Sequence, residues 1–493
     1  MDASTRSRVL PQSVVATLAD AVAQGAGEGL ADARAIDAGT LLELVEASGL
    51  RGRGGAGFPV ARKWRTVIAN ASSVLRPTVV VNAAEGEPGC FKDRELLRRD
   101  PYRVIEGALI AARVVGADSV IIATKSTFTG VVERLRGAIA EVDAAGWTAE
   151  VPVVLVTGPS EYLFGEETAL LEVIDGRPPF PRIAPPYREG VDEMFEHESD
   201  VDTGSRSAAH VEMAGPTGET IAPPTLAGNV ETFANLPAIV RFGAEWFREL
   251  GTADSPGTVL CTVTGDTVRH GVAEIELGTP LREVIEQIGG GARPGREIVA
   301  VMSGVANPLL PATALDTPVS YEAMQAAGAG LGAAGFIVFD DTTDLVAVAA
   351  GVARFLAVES CGQCRHCKDD GLMIADLTAR LAGSHASEPD LDELARRLDS
   401  VADGARCNLP TQQQVVVRSV LQGFPELVDA HALAHADGCE PYFVAEIADL
   451  AEGRARLEES QRTKQPDWTH DPVDSGQWPA DRLDDPRRPT AID

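Results

Sequence analysis

The chain has 493 residues, enough for two to four domains, with 44% hydrophobic and 24% charged residues, an ordinary balance for a globular protein with a sizeable core. Its 73 acidic against 43 basic side chains give a formal net charge of -30, which argues against nucleic acid or an anionic membrane surface as a main partner. No apolar run reaches the roughly 18–20 residues of a spanning helix, the start MDASTRSRVL has no apolar leader segment, and seven cysteines at this length do not make a disulfide scaffold.

Residues 1–50 read as helical and Ala-rich, and DAGTLLELVEASGL (37–50) has apolar side chains at helical spacing up to Gly49. A glycine-rich loop follows at 52–57, then a helix over 59–70 with Pro59 at its first position. Three β-branched runs, 78–82, 119–125 and 151–158, alternate with helical segments at 101–116 and 129–142, which predicts an α/β layer with a largely parallel sheet. Residues 176–226 are irregular and Pro-rich, and Glu189 to Asp202 carries seven carboxylates and no Lys or Arg. That stretch reads as a solvated acidic loop, or as a lid or docking loop.

Short strands at 257–265, 271–278 and 296–304 surround a helix at 279–290 for which Thr279 is the expected N-cap, so a small α+β module is predicted there. Five helical segments between 344 and 436 predict a bundle. From about 453 the chain is polar and Pro-rich, and it reads as a disordered or partner-wrapping tail containing Trp468 and Trp478.

Cys361, Cys364 and Cys367 form C-x-x-C-x-x-C, and 39 residues separate Cys367 from Cys407, which stands at the start of a helical segment. Three thiolates so spaced can bind three irons of a cubane, with the fourth iron served from elsewhere. Zinc is the rival metal, although its structural sites usually use two separated pairs; unligated thiols are the third reading. Cys90, Cys261 and Cys439 are isolated and read as small buried side chains.

RGRGGAGF (51–58) holds Gly52, Gly54 and Gly57 in G-x-G-x-x-G. Glycines allow backbone to approach a phosphate, but the loop follows a helix and not the strand of a dinucleotide fingerprint, so a tight interhelix turn is an equal reading. NAAEGEPGCFKDRE (82–95) follows a strand and offers Asn82, Glu85 and Glu87, acceptors suited to ribose hydroxyls or to flavin and amide N–H groups, or to surface ion pairs with Lys92 or Arg94. Glu166 and Glu167 stand at an expected helix N-terminus, where capping alone would account for them.

Taken in order, RGRGGAGFPVARKW, NAAEGEPGCFKDRE, EYLFGEETALLE, NVETFANLPAIV and ESCGQCRHC resemble the NADH-binding flavoprotein subunit family of respiratory complex I, which includes diaphorase subunits of NAD-dependent formate dehydrogenases and hydrogenases. The resemblance runs from about residue 40 to 445. It implies an α/β fold: a Rossmann-like FMN/NADH-binding domain (1–250, with an acidic loop at 187–226), a β-grasp module (251–340), a helical [4Fe–4S] bundle (341–450) and a tail (451–493). It implies an electron-transfer subunit in which NADH gives hydride to FMN and single electrons pass to the cluster.

By position the resemblance places Gly52, Arg53, Gly54, Gly55, Gly57, Lys63, Asn82, Glu85, Gly165, Glu166 and Asn229 around FMN. It places Phe58, Glu87, Tyr162 and Glu167 near the nucleotide or flavin, with Glu85 and Glu167 as the catalytic pair, and Cys361, Cys364, Cys367 and Cys407 on the cluster. The implied partners are NADH, a separate [2Fe–2S] thioredoxin-like subunit and further subunits of a respiratory, formate dehydrogenase or hydrogenase complex, in the cytoplasm or on the inner face of the membrane through those subunits. Neither nucleic acid nor direct membrane insertion is expected. Four features depart from the family pattern: Ala84 where Asp is usual, Gly228 where Asn is usual, Thr66 where an aromatic is frequent, and the long acidic segment. They motivate the alternative of a divergent relay or scaffold subunit that no longer binds NADH.

Overall fold

The computed structural model describes residues 7–72, 75–188, 190–191 and 222–466. The acidic residues between 189 and 202 and the tail beyond 466, with Trp468 and Trp478, lie outside the described residues.

Three helices, α1 (Leu18–Ala23), α2 (Glu28–Ala35) and α3 (Ala38–Ser48), lead into the glycine loop. Asp37 caps α3 by accepting from Thr40 N, and Gly49 ends it in the left-handed region at φ 71°. Helix α4 is Val60–Asn70, so Pro59 is its N-cap and not its first residue. There follow β1 (Thr78–Ala83), α5 (Lys92–Arg99), α6 (Pro101–Val115), β2 (Ser119–Lys125), α7 (Thr129–Ala144), β3 (Val153–Gly158), α8 (Glu167–Ile174) and β4 (Thr225–Asn229).

The four strands form a parallel sheet in the order β3-β2-β1-β4. Alternate side chains serve two cores, as the period of a strand requires. Val79, Val81, Val120 and Ile122 pack with Leu109, Leu135 and other residues of α6 and α7. Val80, Ile121, Ala123 and Ala227 pack on the other face with Phe164, Leu170 and Leu171. The chain moves outward through β2 and β3, then returns to the opposite side of β1 as β4. The strand order therefore reverses between β1 and β4, and a crevice opens at their C-terminal ends. Nothing in the sequence marks β4 as a strand; TLAGN has little β propensity, and its pairing with β1, Asn82 opposite Asn229, imposes the conformation.

Three short helices, α9 (Val230–Ala234), α10 (Leu236–Phe242) and α11 (Ala244–Arg248), return the chain to a second sheet. It consists of β5 (Thr258–Gly265), β6 (Gly271–Glu276), β7 (Ile298–Ser303), β8 (Leu310–Pro311) and β9 (Gly335–Asp340), ordered β6-β5-β9-β7-β8 with β5 and β9 parallel. Helices α12 (Leu281–Val284) and α13 (Tyr321–Ala326) belong to this unit. The expected helix over 279–290 starts after Pro280 and widens into a π turn over 285–289. Thr279 is not its cap; its hydroxyl donates to Glu276 O at 2.8 Å and closes the preceding turn.

The bundle comprises α14 (Leu345–Glu359), α15 (Arg365–Ala382), α16 (Glu388–Ser400), α17 (Leu409–Gly423) and α18 (Pro425–Ala432). Every residue of α14 except Arg354 is buried, as an all-round apolar helix must be. One face of the second sheet, through Ala300, Met302, Ile337 and Phe339, shares its core with α14. The segment expected to be tail begins instead with a hairpin, β10 (Ile447–Ala451) and β11 (Arg454–Leu457), which spans the expected boundary at 450. The hairpin is held against the first domain: Glu446 pairs with Lys125 and, at 3.6 Å, with Arg94, and Asp449 pairs with Arg98 at 3.1 Å. Lys464 then reaches Glu359 at 2.7 Å. Among the described residues, no helix is long and apolar enough to cross a membrane.

Helix α6 crosses α9 so closely that a β-carbon on Gly107 would lie 1.9 Å from Phe233 O. Gly107→Ala would gain at most about 1 kcal/mol of helix propensity and lose about 1–3 kcal/mol to overpacking against backbone. A lower melting temperature by circular dichroism is expected, and an unchanged or raised one would contradict this packing.

Candidate functional site

A cleft of about 780 Å³ opens at the β1/β4 reversal, within the range of small-molecule sites. Its walls come from the glycine loop, the turns after β1 and before α8, the end of β4, and the start of α17.

The glycine loop is braced from behind. Tyr321 donates its hydroxyl to Gly52 O at 2.7 Å, and Gly52 N donates to Phe58 O at 2.9 Å. Gly57 has φ 60°, and a β-carbon there would meet the Tyr321 ring at 2.4 Å, so only glycine fits. Gly54 faces Asn229, whose Cβ would be 3.2 Å from an added β-carbon. At the cleft mouth Phe58 is 45% exposed, with the Arg62 guanidinium 5.5 Å from its ring centre. Arg53 does not follow its neighbours. Its side chain is buried behind the loop, donating to Tyr321 Oη and Pro256 O at 3.3 Å and lying 3.8 Å from Glu231. The resemblance places Arg53 around the cofactor; its side chain lies behind the loop and braces it.

Asn82 and Asn229 lie side by side at the C-terminal ends of the neighbouring strands β1 and β4. Asn82 donates to Gly165 O at 2.8 Å, tying β1 to the turn before α8. Asn229 caps α9 through Glu231 N at 3.0 Å and donates to Asp93 Oδ2 at 2.7 Å. Beneath them, fully buried Lys92 is held by Asp93 at 2.7 Å and Glu231 at 2.9 Å. Burial pushes Asp93 up to about 6 against the pull of Lys92.

The carboxylates divide by partner. Glu85 accepts from Cys90 Sγ at 3.1 Å, Asp93 N at 3.0 Å and Arg94 Nε at 3.0 Å. Burial opposes its charge, but Arg94, Lys92 and the Asp93 amide outweigh it and hold the carboxyl below its ordinary value. Glu85 borders the cleft with both oxygens hydrogen-bonded, which anchors the turn after β1. The surface ion pair considered from sequence is in fact a buried one with Arg94. Glu166 caps α8, accepting from Thr168 N at 3.0 Å and Ala169 N at 2.8 Å. Glu167 forms an ion pair with Lys63 across the cleft entrance, with both side chains about one-third exposed at 38% and 32%.

Glu87 accepts from Val305 N at 2.7 Å and from the Tyr162 hydroxyl at 2.6 Å. Its burial raises the carboxyl above its ordinary value, and these hydrogen bonds offset only part of the effect. Tyr162 packs edge-on against Phe355 at 5.4 Å, its amide donates to Glu359 Oε2 at 3.0 Å, and its hydroxyl lies 3.3 Å from Gln412 Oε1. It therefore links the cleft to the bundle. Asp93, Gln412 and Asn307 also line the cleft. Sequence reasoning misses them: Asp93 is one of several carboxylates in the 82–95 motif with nothing to single it out, and Asn307 and Gln412 lie in distant segments with no local motif.

The three departures that lie among the described residues leave the cleft open. Ala84 is 1% exposed and contributes its backbone amide to Asn82 Oδ1 at 3.2 Å. At Gly228 an added β-carbon would meet the Phe233 ring at 2.8 Å, so the ring fills the space of a missing side chain. Thr66 lines the wall, its hydroxyl donating to Arg62 O at 3.0 Å.

Cys361 lies on the turn into α15, Cys364 is its N-cap and Cys367 is in its first turn, and Cys407 lies just before α17. Two helix N-termini thus point at the sulfur group, which favours negative charge there. Arg406 N donates to Cys364 Sγ at 3.4 Å, and Ser360 Oγ lies 3.3 Å from Cys367 Sγ. Burial, with charge on the neighbouring sulfurs, pushes Cys367 up to about 12 and raises Cys407 as well. Thiolates gathered in one place need positive charge among them, and this four-cysteine donor set fits an iron–sulfur group. Cys407 also lines the cleft.

Residues 45–238 match the Nuo51 FMN-binding domain family, and residues 347–431 match the NADH-ubiquinone oxidoreductase-F iron-sulfur binding region. The chain is 33% identical over 401 residues to the second F subunit of the NADH-quinone oxidoreductase of Rhizobium meliloti (strain 1021), covering 79% of this chain and 88% of that one. It is 32% identical over 437 residues to the F subunit of the NADH-quinone oxidoreductase of Streptomyces coelicolor (strain ATCC BAA-471 / A3(2) / M145), covering 87% and 91%. Among solved structures, it resembles a chain of an NAD+-reducing [NiFe]-hydrogenase in the H2-reduced state, with a TM-score of 0.68 and 34% identity over 81% of this chain. This chain spans 63% of the length of that hydrogenase chain. With its FMN-binding domain and [4Fe–4S]-binding region, the chain belongs to the family of NADH-quinone oxidoreductase F subunits, which are NADH-oxidising electron-transfer subunits.

Proposed function

We propose that FMN and the nicotinamide nucleotide share the β1/β4 cleft and that electrons leave it on the Cys407 side. The observation that carries this reading is that Cys407 lines the same cavity as the glycine loop and Glu167. When bound, FMN accepts hydride from NADH and the cluster accepts electrons singly.

The glycines at 52, 54, 55 and 57 let a flat ligand approach backbone, and Gly165 does the same on the opposite wall. Asn82 and Asn229 fix the two strand ends and present amide groups to the ligand. Lys63 supplies positive charge at the entrance, balanced by Glu167, which an incoming nucleotide meets first. Phe58 offers an exposed ring for a base to stack on. Glu87, fixed by Tyr162 and Val305 N, presents a carboxyl group on the cleft wall beside the catalytic pair that the resemblance implies, Glu85 and Glu167. Arg53 and Glu166 are positioning residues.

The likeness to both respiratory subunits and an NAD+-reducing hydrogenase chain supports a place in a multisubunit oxidoreductase. We infer a separate [2Fe–2S] thioredoxin-like partner and further acceptor subunits, in the cytoplasm or at the inner membrane face through those partners. An anaerobic absorbance titration tests the reading: NADH should bleach the flavin of protein holding FMN and iron. Bound flavin that stays oxidised with both NADH and NADPH would refute it in favour of a relay subunit.

Cys364→Ser replaces a soft thiolate with a harder oxygen and should lower iron content and alter the cluster's EPR signal; unchanged iron and signal would remove Cys364 from the ligand set. Glu87 has its carboxyl raised above the ordinary value in the fold, so near that value the folded state holds a proton that the unfolded chain has released. Its contribution to stability therefore falls as pH rises above the unfolded value. Glu87→Gln should lose this slope, and its melting temperature relative to the wild type should climb from acid to neutral pH; a constant difference would contradict the burial of a titrating Glu87.

A further inference from the structure

Away from the cleft, the bundle gathers a second set of donor side chains. Asp344, His431 and Cys439 bring one ligand atom each to within 4.8 Å of one another. They come from the start of α14, the last turn of α18 and the segment that follows it, so the grouping is made by the tertiary fold.

The hydrogen bonds leave these atoms turned toward a common point. Asp344 spends Oδ1 on the amides of Val346 at 2.8 Å and Ala347 at 3.0 Å, which leaves Oδ2 facing His431 Nε2 at 2.8 Å. On the other side of the imidazole, Nδ1 lies 3.0 Å from Ser384 Oγ, and that hydroxyl donates to Ala436 O at 3.1 Å. The Ser384 hydroxyl can serve Nδ1 as donor or acceptor, so the ring can keep its proton on Nδ1 and offer the Nε2 lone pair to a cation beside Asp344 Oδ2. Cys439 Sγ reaches Ala382 O at 3.5 Å, a long thiol contact that ionisation gives up. A metal ion uses all three groups.

Ser384 Oγ stands where a metal ligand's outer partner stands, placed to accept from the far ring nitrogen when the near one binds a metal. His431 is 0% exposed, whereas Cys439 is partly exposed and gives an entry path. Carboxylate, imidazole and thiolate together suit a borderline cation of zinc type over calcium or magnesium, which take oxygen ligands.

We propose that Asp344, His431 and Cys439 bind a zinc ion that clasps the end of the bundle to the start of α14, with Ser384 orienting His431. The site is separate from the four-cysteine group, and the inference does not depend on the flavin reading.

The test uses the full chain with its cluster in place, exposed to zinc chloride and then dialysed. Elemental analysis should find about one zinc per chain beside an undiminished iron content, and X-ray absorption at the zinc edge should show one sulfur at about 2.3 Å with lighter ligands at about 2.0–2.2 Å. Cys439→Ser, a mild change at a partly exposed site, should lower zinc affinity at least tenfold, and Ser384→Ala should lower it about 10–100-fold, both with iron retained. Zinc-free wild type with full iron, an all-sulfur shell from zinc in the four-cysteine group, or affinity unchanged in both variants would each overturn the proposal.

Discussion

Three cations lie buried under the cleft, and the architecture around it depends on keeping each one paired. Lys92 is held between Asp93 and Glu231, Arg94 between Glu85 and Glu446, and Arg53 lies against Glu231. An uncompensated charge in such surroundings costs several kcal/mol, so these carboxylates cannot drift. Their positions fix the turn after β1, the N-terminus of α9 and the back of the glycine loop at once. The cleft is therefore shaped from below by electrostatics, while its walls are lined by glycine, backbone amides and only a few polar side chains. A site that must bring a flat cofactor close to backbone and keep its orientation gains from such preorganisation.

Much of this is legible in sequence, and the limits have physical causes. The β-branched runs mark three strands because β1 and β2 are buried on both faces of a parallel sheet and β3, half-buried at its edge, keeps the same composition. The Cys spacing marks the metal group because ligand geometry restricts it to a few short spacings. Strand β4 is hidden because its conformation comes from pairing with β1 and not from its own residues. Motif position puts Arg53 and Glu85 beside the cofactor, because it says which loop a residue is on but not which way its side chain turns. Burial decides that: it turns the Arg53 side chain behind the loop and ties both Glu85 oxygens to their neighbours. Glu87 is recognisable only as one carboxylate among several; its distinction comes from Tyr162 and Val305, which are remote in sequence.

The hairpin at 447–457 reads in sequence as the approach to a tail because IADLAEGRARL is short and polar. Its value to the fold lies in charge: Glu446, at its base, meets Lys125 and Arg94, both almost wholly buried in the first domain. The C-terminal end of the bundle thus completes the interior of the N-terminal half.

That arrangement has a consequence for how the molecule is made. Lys125 and Arg94 emerge from the ribosome more than 300 residues before Glu446 does. Until then, the nascent first domain holds two cations whose shared counter-charge has not yet been synthesised. The cleft floor reaches its final electrostatic state only when translation has passed the cluster-binding bundle. Assembly order is in this way written into charge pairing: a truncated chain would retain the glycine loop and the strand ends, but not the settled floor beneath them.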